Sequence, residues 1–136
     1  VARRMVNITC LSLGNPHAVA FVEEEVGRFP LERVGPQVEG HPAFPQRVNF
    51  EAANVMDRGH LRARIWERGA GETLASGTGA CAVAVAARLK NLVDDKVDIT
   101  LPGGALTVQW DGQGEVLLEG PVEEVFEGEW KRGLGG

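Results

Sequence analysis

The run from Ala80 to Ala87 constrains the fold of this chain most, because it places eight apolar residues in direct succession. The run belongs to a pattern typical of a helix from Gly77 to about Asn91, and this helix is apolar on every face. A helix without a polar face must be surrounded by other elements. The apolar run is far shorter than the roughly 20 residues that a bilayer crossing needs. The sequence therefore predicts a buried central helix rather than a membrane span.

Short β-type runs separated by turn residues lie on both sides of this helix. Runs rich in β-branched and aromatic residues and bounded by Gly, Pro, Asn and Asp are typical of strands. They predict strands at Met5–Leu13, His17–Glu23, Gln46–Met56, His60–Glu67, Val97–Leu101, Ala105–Trp110, Glu115–Glu119 and Val122–Phe126. Because such strands can wrap around a helix of small residues, we expect an α+β fold.

A second, shorter helix is expected from Pro30 to Gly40. Leu31, Val34 and Val38 recur at spacings of three and four, which is the period of a helix with one apolar face. Pro30 would occupy the first helical position, and Gly40 would end the helix.

Composition and charge exclude several classes of function. With 136 residues the chain fits one domain, and a net charge of −5 without a cluster of Lys or Arg argues against a nucleic-acid partner. No basic-then-apolar leader opens the chain, so a cytoplasmic location is the default expectation. Cys10 and Cys81 match no metal-ligand spacing, and both are expected to be buried thiols.

The polar turn before the central helix is the strongest candidate site. The segment Ser76–Gly79 places small residues where a backbone can approach a ligand closely. The unpaired N–H groups of a helix's first turn, at the positive end of the helix dipole, attract a carboxylate or a phosphate. The same dipole would depress the pKa of a cysteine at position 76 and make it a usable base. This chain has a serine at that position.

Several motifs closely resemble those of the diaminopimelate epimerases, in the same order and with the same spacing. They are Gly14-Asn15-Pro16-His17-Ala18-Val19, Arg47-Val48-Asn49-Phe50, Trp66-Glu67-Arg68-Gly69-Ala70-Gly71-Glu72-Thr73-Leu74-Ala75 and Gly77-Thr78-Gly79-Ala80-Cys81-Ala82. The closing segment from Gly120 to Phe126 is similar to the last strand of that family. The resemblance covers nearly the whole chain, but only the C-terminal half of such an enzyme.

This resemblance implies a fold and a reaction. Each half of such an enzyme is an α+β domain in which a mixed, mostly antiparallel, barrel-like sheet wraps around a central helix. Residues 1–136 would be the C-terminal domain, and the N-terminal domain would be missing from this chain. The family interconverts LL- and meso-diaminopimelate without a cofactor or a metal, on the route to lysine and peptidoglycan.

The implied partners follow from the same resemblance. They are the substrate diaminopimelate and the missing N-terminal domain, and neither a nucleic acid nor a membrane is expected. A site between two domains leaves one wall uncovered when a domain is removed. Self-association through that wall, and a homodimer of the whole protein, are therefore expected.

The resemblance also implies two catalytic cysteines, one from each half, on opposite sides of the substrate α-carbon. One thiolate removes the α-proton while the other thiol delivers a proton. The first cysteine belongs to the missing half, and the second falls at Ser76. A serine hydroxyl lacks the low pKa that lets a thiol act as a base near neutral pH. The chain is therefore expected to be inactive alone, and Ser76 to remain disabling when the other half is restored.

Four further residues resemble groups that hold the substrate's two charged ends. The backbone N–H groups of Gly77 and Thr78 would bind the α-carboxylate and stabilise the charge that develops beside it. Arg68 would bind the distal carboxylate, because its planar guanidinium matches two oxygens. Glu67 would be a polar partner close to the substrate and, together with Ser76 and His17, a catalytic candidate.

Two amides and a histidine complete the implied site. Asn15 and Asn49 resemble the amides that bond the distal amino-acid end, since an amide offers both donors and an acceptor. His17 would support the thiol site or orient Glu67. A lone histidine at the start of a strand is equally compatible with a purely structural role.

Two other functions remain open at this point. One is a single-base dehydratase or isomerase of the proline-racemase-like superfamily, in which one of the catalytic pair is replaced. The retained distal-end determinants for diaminopimelate argue against it: Asn15, Asn49, Glu67 and Arg68. The other is a noncatalytic binding or assembly module that keeps the fold, which calorimetric titration with diaminopimelate would distinguish from an enzyme.

Overall fold

The computed structural model describes residues 6–120. The chain forms β1 (Ile8–Ser12), β2 (Pro16–Phe21), a 3-10 helix (Val26–Arg28), α1 (Leu31–Glu39), β3 (Asn49–Asp57), β4 (His60–Glu67), β5 (Gly71–Thr73), α2 (Gly77–Leu89), β6 (Lys96–Leu101), β7 (Gly104–Gln109) and β8 (Leu117–Glu119). The strand expected at Val122–Phe126 lies outside the described residues.

One sheet of eight strands organises the described part of the chain. The order is β1-β2-β3-β4-β6-β7-β8, and β5 pairs with β4. The β2–β3 and β4–β6 pairings are parallel, and the other pairings are antiparallel. A parallel pairing needs a crossover connection, and α1 and α2 lie in these two connections. The prediction of a mixed, mostly antiparallel α+β sheet is confirmed.

Helix α2 lies against the concave face of the sheet and contacts β1, β2, β3, β4, β6 and β7. Every residue from Gly79 to Ala87 is buried, which confirms the predicted central helix. The contact is close: a Cβ atom on Gly79 would lie 2.6 Å from Ile65 Cδ1. Only glycine therefore fits beneath Ile65 without displacement. No helix in residues 6–120 is long and apolar enough to cross a membrane.

Helix α1 covers the opposite face of the sheet and forms a second apolar cluster. Its buried residues Leu31, Val34 and Val38 pack with Phe29 and Phe50, whose ring centroids are 6.1 Å apart. The predicted apolar spacing is therefore confirmed. Two apolar layers on opposite faces explain why the central strands of the sheet are buried on both sides.

The structure corrects several details of the sequence prediction. Pro30 is the N-cap of α1 rather than its first helical residue. Gly71–Thr73, where the sequence pattern predicts no strand, forms the short strand β5 against β4. Cys81 is buried as expected, but Cys10 is exposed. Cys10 lies opposite Ala18, on the face of the sheet away from α2. Because β1 is an edge strand, the apolar cluster around α1 does not extend over Cys10.

On the face of the sheet that α1 covers, Gly35 of α1 lies so close to Trp66 that adding a single methyl group should lower the stability of the fold. A Cβ atom on Gly35 of α1 would lie 2.5 Å from Trp66 Cδ2, inside a well-packed layer. Gly35→Ala should therefore lower the free energy of unfolding by about 1–3 kcal/mol, despite the better helix propensity of alanine. Urea unfolding followed by tryptophan fluorescence measures this difference.

The matched control is Gly59→Ala, because a Cβ atom there has its nearest neighbour, Asp57 Oδ1, at 3.6 Å. This variant should stay within about 0.5 kcal/mol of the parent. Equal stabilities of the two variants would contradict the close contact between Gly35 and Trp66.

Candidate functional site

Polar side chains gather at one end of the sheet, on the face that α2 covers. His17 of β2 is in register with Asn49 of β3. Phe50 lies opposite Trp66, which sets Asn49 opposite Glu67 of β4. Because side chains alternate between the faces of a strand, these three polar residues share the face of the inner core residue Ile65. The sheet thus aligns His17, Asn49 and Glu67 in one row.

The first turn of α2 lies at the same end of the sheet. Ile65, two residues before Glu67 on the same face, packs against Gly79. Ser76 is the N-cap of the helix, and its Oγ accepts a 3.0 Å hydrogen bond from the N–H of Gly79. The N–H groups of Gly77 and Thr78 donate to no group within residues 6–120. Two free donors at the positive end of α2 suit an anion.

A buried chain of hydrogen bonds runs from Asn15 into the sheet. His17 Nε2 lies 3.0 Å from Asn15 Oδ1, and His17 Nδ1 lies 2.7 Å from Glu51 Oε2. His17 is 1% exposed and Glu51 is fully buried. The other carboxylate oxygen of Glu51, Oε1, has no hydrogen-bond partner in the described part of the chain. An unpaired buried oxygen disfavours the ionised carboxylate.

The surroundings of Glu51 change its ionisation. Burial raises its pKa to about 7, the hydrogen bond and charge of His17 oppose this shift, and the nearby Glu67 carboxylate adds to it. Glu51 therefore ionises near neutral pH rather than near its ordinary value of 4.5. The structure pairs His17 with Glu51 rather than with Glu67, so the expectation that His17 orients Glu67 is corrected.

Arg68 lies in the exposed turn that follows β4. Its backbone N–H donates to Asn49 Oδ1 at 2.8 Å, and its guanidinium donates to the carbonyl of Gln46 at 3.0 Å. Asn49 also donates to the carbonyl of Pro16 at 3.3 Å. Within residues 6–120, Arg68 forms no ion pair with a carboxylate. Its charge is thus available to a ligand.

Glu39, at the end of α1, holds the turn that carries Arg68 in place through hydrogen bonds. Its Oε2 accepts from Arg47 Nη1 at 2.9 Å and from the backbone N–H of Gly69 at 2.8 Å. Its Oε1 accepts from Trp66 Nε1 at 2.9 Å. Partial burial opposes ionisation of Glu39, but these hydrogen bonds outweigh burial and lower its pKa. One carboxylate therefore connects the outer helix to the loop of the candidate site.

The structure brings all of the sequence-predicted site residues to one end of the sheet, and it adds two that the sequence reasoning missed. Glu51 could have been found, because strand alternation places it on the same face as Asn49. Glu39 had no such signal, since its contacts depend on how α1 packs across the sheet. Among residues 6–120, no group of three or more His, Cys, Asp or Glu side chains could hold a metal ion.

The role of Glu39 predicts the effect of a neutral substitution. Glu39→Gln replaces one carboxylate oxygen, which accepts hydrogen bonds, with an NH₂ group. That NH₂ group would face an N–H donor of Arg47, Trp66 or Gly69. We expect a loss of about 1–3 kcal/mol of stability and faster hydrogen exchange at the Gly69 amide. Because the pKa of Glu39 is lowered, its stabilising effect should be present above its ordinary value of 4.5 and be lost as the pH falls below it.

Glu32→Gln is the matched control for this variant, because Glu32 lies on the same helix and is 70% exposed. Its stability and the exchange rate of the Gly69 amide should remain those of the parent. Urea unfolding and exchange measured by NMR decide the comparison, and equal exchange rates in both variants would remove Glu39 from the loop's support.

The buried Glu51 predicts a pH dependence of the opposite sign. Its pKa is raised from 4.5 to about 7, so folding favours the protonated form. Its contribution to stability should be complete below pH 4.5 and lost as the pH rises through about 7. The loss is on the order of 3 kcal/mol. In Glu51→Gln, urea unfolding should lack this decline, and an equal decline in that variant would assign it to another group.

Comparison with known proteins agrees with this arrangement. A family model described as diaminopimelate epimerase matches residues 9–125. The chain is 52% identical over 123 residues to a diaminopimelate epimerase of Acetivibrio thermocellus, covering 90% of this chain and 44% of that protein. It is 50% identical over 129 residues to that of a Cyanothece species, covering 94% and 46%. The chain thus spans less than half the length of these curated relatives.

Solved structures share the fold at low sequence identity. A PhzF-family phenazine biosynthesis protein of Bacillus anthracis superposes with a TM-score of 0.56 at 18% identity, covering 83% of this chain and 38% of that one. An Enterococcus faecalis protein of the same family gives a TM-score of 0.54 at 16% identity, covering 70% and 34%. These two structures support the architecture alone. Given the family match over most of its length, the chain belongs to the diaminopimelate epimerase family.

Proposed function

We propose that this chain is the C-terminal half of a two-domain, cofactor-independent epimerase that interconverts LL- and meso-diaminopimelate. The observation that carries the proposal is a convergence at one end of the sheet: two backbone N–H groups and an arginine, which within residues 6–120 have no hydrogen-bond acceptor and no carboxylate partner respectively, lie beside a row of polar side chains. Such a set suits a small molecule with anionic and cationic ends. The relatives, of which the chain matches less than half, are diaminopimelate epimerases.

In this proposal the first turn of α2 binds the reacting end of the substrate. The N–H groups of Gly77 and Thr78 hold the α-carboxylate, and they stabilise negative charge that spreads onto it when the α-proton leaves. Arg68 binds the distal carboxylate, with its turn held in place by Asn49 and Glu39. The side chains of Asn15 and Asn49 border the distal end, and Glu67 supplies a negative charge for an ammonium group.

Position 76 is the proposed site of the second catalytic base. A thiolate there would receive the hydrogen bond from the Gly79 N–H and would be stabilised by the helix dipole. Serine keeps the N-cap but has no comparable acidity, and no basic side chain hydrogen-bonds its Oγ within residues 6–120. We infer that the chain is inactive alone, because the first base comes from the other half of the protein.

The other half would cover the open end of the sheet. Leu74, two residues before Ser76, is 62% exposed, and its carbonyl is anchored by the N–H of Gly103 at 2.8 Å. An exposed leucine on a fixed loop beside the site is suited to contact a covering domain. A homodimer of the complete protein belongs to the same proposal, and equilibrium sedimentation measures it.

The experiment restores the remaining half in one polypeptide and compares Ser76, Ser76→Cys and Ser76→Ala. Solvent deuterium incorporation at the α-carbon of diaminopimelate, measured by mass spectrometry, reports proton transfer directly. The cysteine form should exchange at least about 100-fold faster than the serine form, because a positioned base contributes that much. The serine and alanine forms should exchange at similarly low rates.

Binding separates loss of the base from loss of the site. Calorimetric titration should give similar affinities for the serine and cysteine forms, since the proposed carboxylate ligands are backbone groups that both forms keep. A serine form that exchanges protons as fast as the cysteine form would overturn the role of position 76. Absence of both binding and exchange in the cysteine form would overturn the proposed function.

A further inference from the structure

The Asn15 amide hydrogen-bonds through one of its two sides to His17, which pairs in turn with the buried Glu51. An asparagine side chain presents an acceptor on one side and two donors on the other. Asn15 is half-buried, and its Oδ1 is turned inward, 3.0 Å from His17 Nε2. Its Nδ2 donates to no group in residues 6–120, so this NH₂ group remains available for a ligand.

The inward Oδ1 requires a proton on His17 Nε2, because a carbonyl oxygen only accepts. Two arrangements of the pair satisfy this requirement. In one, an imidazolium donates from Nδ1 to ionised Glu51; in the other, protonated Glu51 donates to Nδ1 of a neutral imidazole. Both arrangements make the pair electrically neutral. In a third arrangement, ionised Glu51 beside neutral His17, Nδ1–H donates to Glu51, Nε2 becomes an acceptor and Asn15 must turn its NH₂ inward.

The surroundings of the pair favour the neutral arrangements. The two side chains are almost completely removed from solvent, and a net charge there lacks compensation. Glu51 Oε1 has no partner in the described part of the chain, which penalises a full negative charge on that group. The carboxylate of Glu67 repels a second negative charge nearby.

Within residues 6–120, the other elements that pack around this pair add no compensating positive side chain. On β1, the residues in register with Val19 and His17 are Thr9 and Leu11, and neither titrates. On α2, the buried Cys81 of the same inner core stays neutral because burial raises its pKa to about 12. The N-terminus of α2 adds the positive partial charge of the helix dipole, while Arg88, in the last turn of α2, pairs with Asp95. The neutral pair is therefore the stable arrangement below about pH 7.

We propose that Glu51 is a positioning residue which, through His17, holds the Asn15 amide with its NH₂ group turned toward the candidate site. Asn15 then presents a donor, which suits a carboxylate, rather than an acceptor, which suits an ammonium group. The identity of the carboxylate as part of diaminopimelate rests on the proposed function above. The orientation of the amide does not depend on that proposal.

NMR of the uniformly ¹⁵N-labelled chain tests the orientation without any turnover. Long-range ¹H–¹⁵N correlations report which imidazole nitrogen carries a proton, and His17→Gln identifies the His17 signals among the three histidines. At about pH 6 we expect Nε2 of His17 to be protonated. At about pH 9, where the pair has lost its shared proton, we expect Nε2 to lose its hydrogen and the Asn15 NH₂ signals to shift in the same transition.

Glu51→Gln removes the titrating carboxylate at nearly constant shape, so the coupled change between about pH 6 and pH 9 should disappear. The control Glu115→Gln changes an exposed glutamate in the loop before β8 and should reproduce the parent's pH course. A parent whose His17 Nε2 carries no proton at about pH 6 would overturn the proposal. An unchanged pH course in Glu51→Gln would overturn it as well.

Two further outcomes remain decisive. If Glu51→Gln does not give the dispersed spectrum of a folded chain, the parent's titration decides alone, because the neutral pair requires the Nε2 proton. If the restored enzyme proves inactive with every residue at position 76, the NMR result still stands, since it measures an orientation within this chain. Failure of the proposed function and failure of this inference are thus distinguishable.

Discussion

The close packing of α2 against the sheet is the contact on which the rest of the structure depends. A helix of alanine, glycine and valine has a small radius, so six strands can approach it at once and enclose it. Gly79 is the tightest point, because the side chain of Ile65 occupies the space that a Cβ atom would need. This contact fixes how deeply the helix lies in the core and therefore where its first-turn N–H groups, which have no acceptor within residues 6–120, are presented.

The position of the polar row follows from the same packing. Along β3, the inward positions are Asn49, Glu51 and Ala53, so polarity increases from the enclosed helix toward the open end of the sheet. Buried polar groups need partners, and the row supplies them internally through His17. Only Glu51 Oε1 is left without one in the described part of the chain. The candidate site thus lies where the apolar core ends. Its electrostatics depend on the carboxyl group of Glu51, which the fold shields from solvent.

Local patterns predicted the elements but not the long-range contacts. The strand His60–Glu67 and the start of α2 at Gly77 agree with the prediction, since alternation and a helix N-cap are local signals. The end of α2 at Leu89 falls short of Asn91, which adopts a positive φ of 58° and cannot continue the helix. The exposure of Cys10 depends on which strand lies at the edge of the sheet, and the contacts of Glu39 depend on where α1 packs. The spacing of residues along the sequence contains neither piece of information.

Ser76 shows how fold and chemistry separate at one position. Serine is among the preferred N-cap residues, and its hydrogen bond from Gly79 stabilises the first turn of α2 by an amount on the order of 1 kcal/mol. A thiolate at this position would accept a hydrogen bond from the same Gly79 N–H. This one donor can therefore either cap the helix through serine or stabilise a thiolate base. A change between sulfur and oxygen therefore alters acidity by many orders of magnitude while leaving the helix start intact. The hydrogen bond that starts α2 therefore requires only an acceptor at position 76, and serine supplies it.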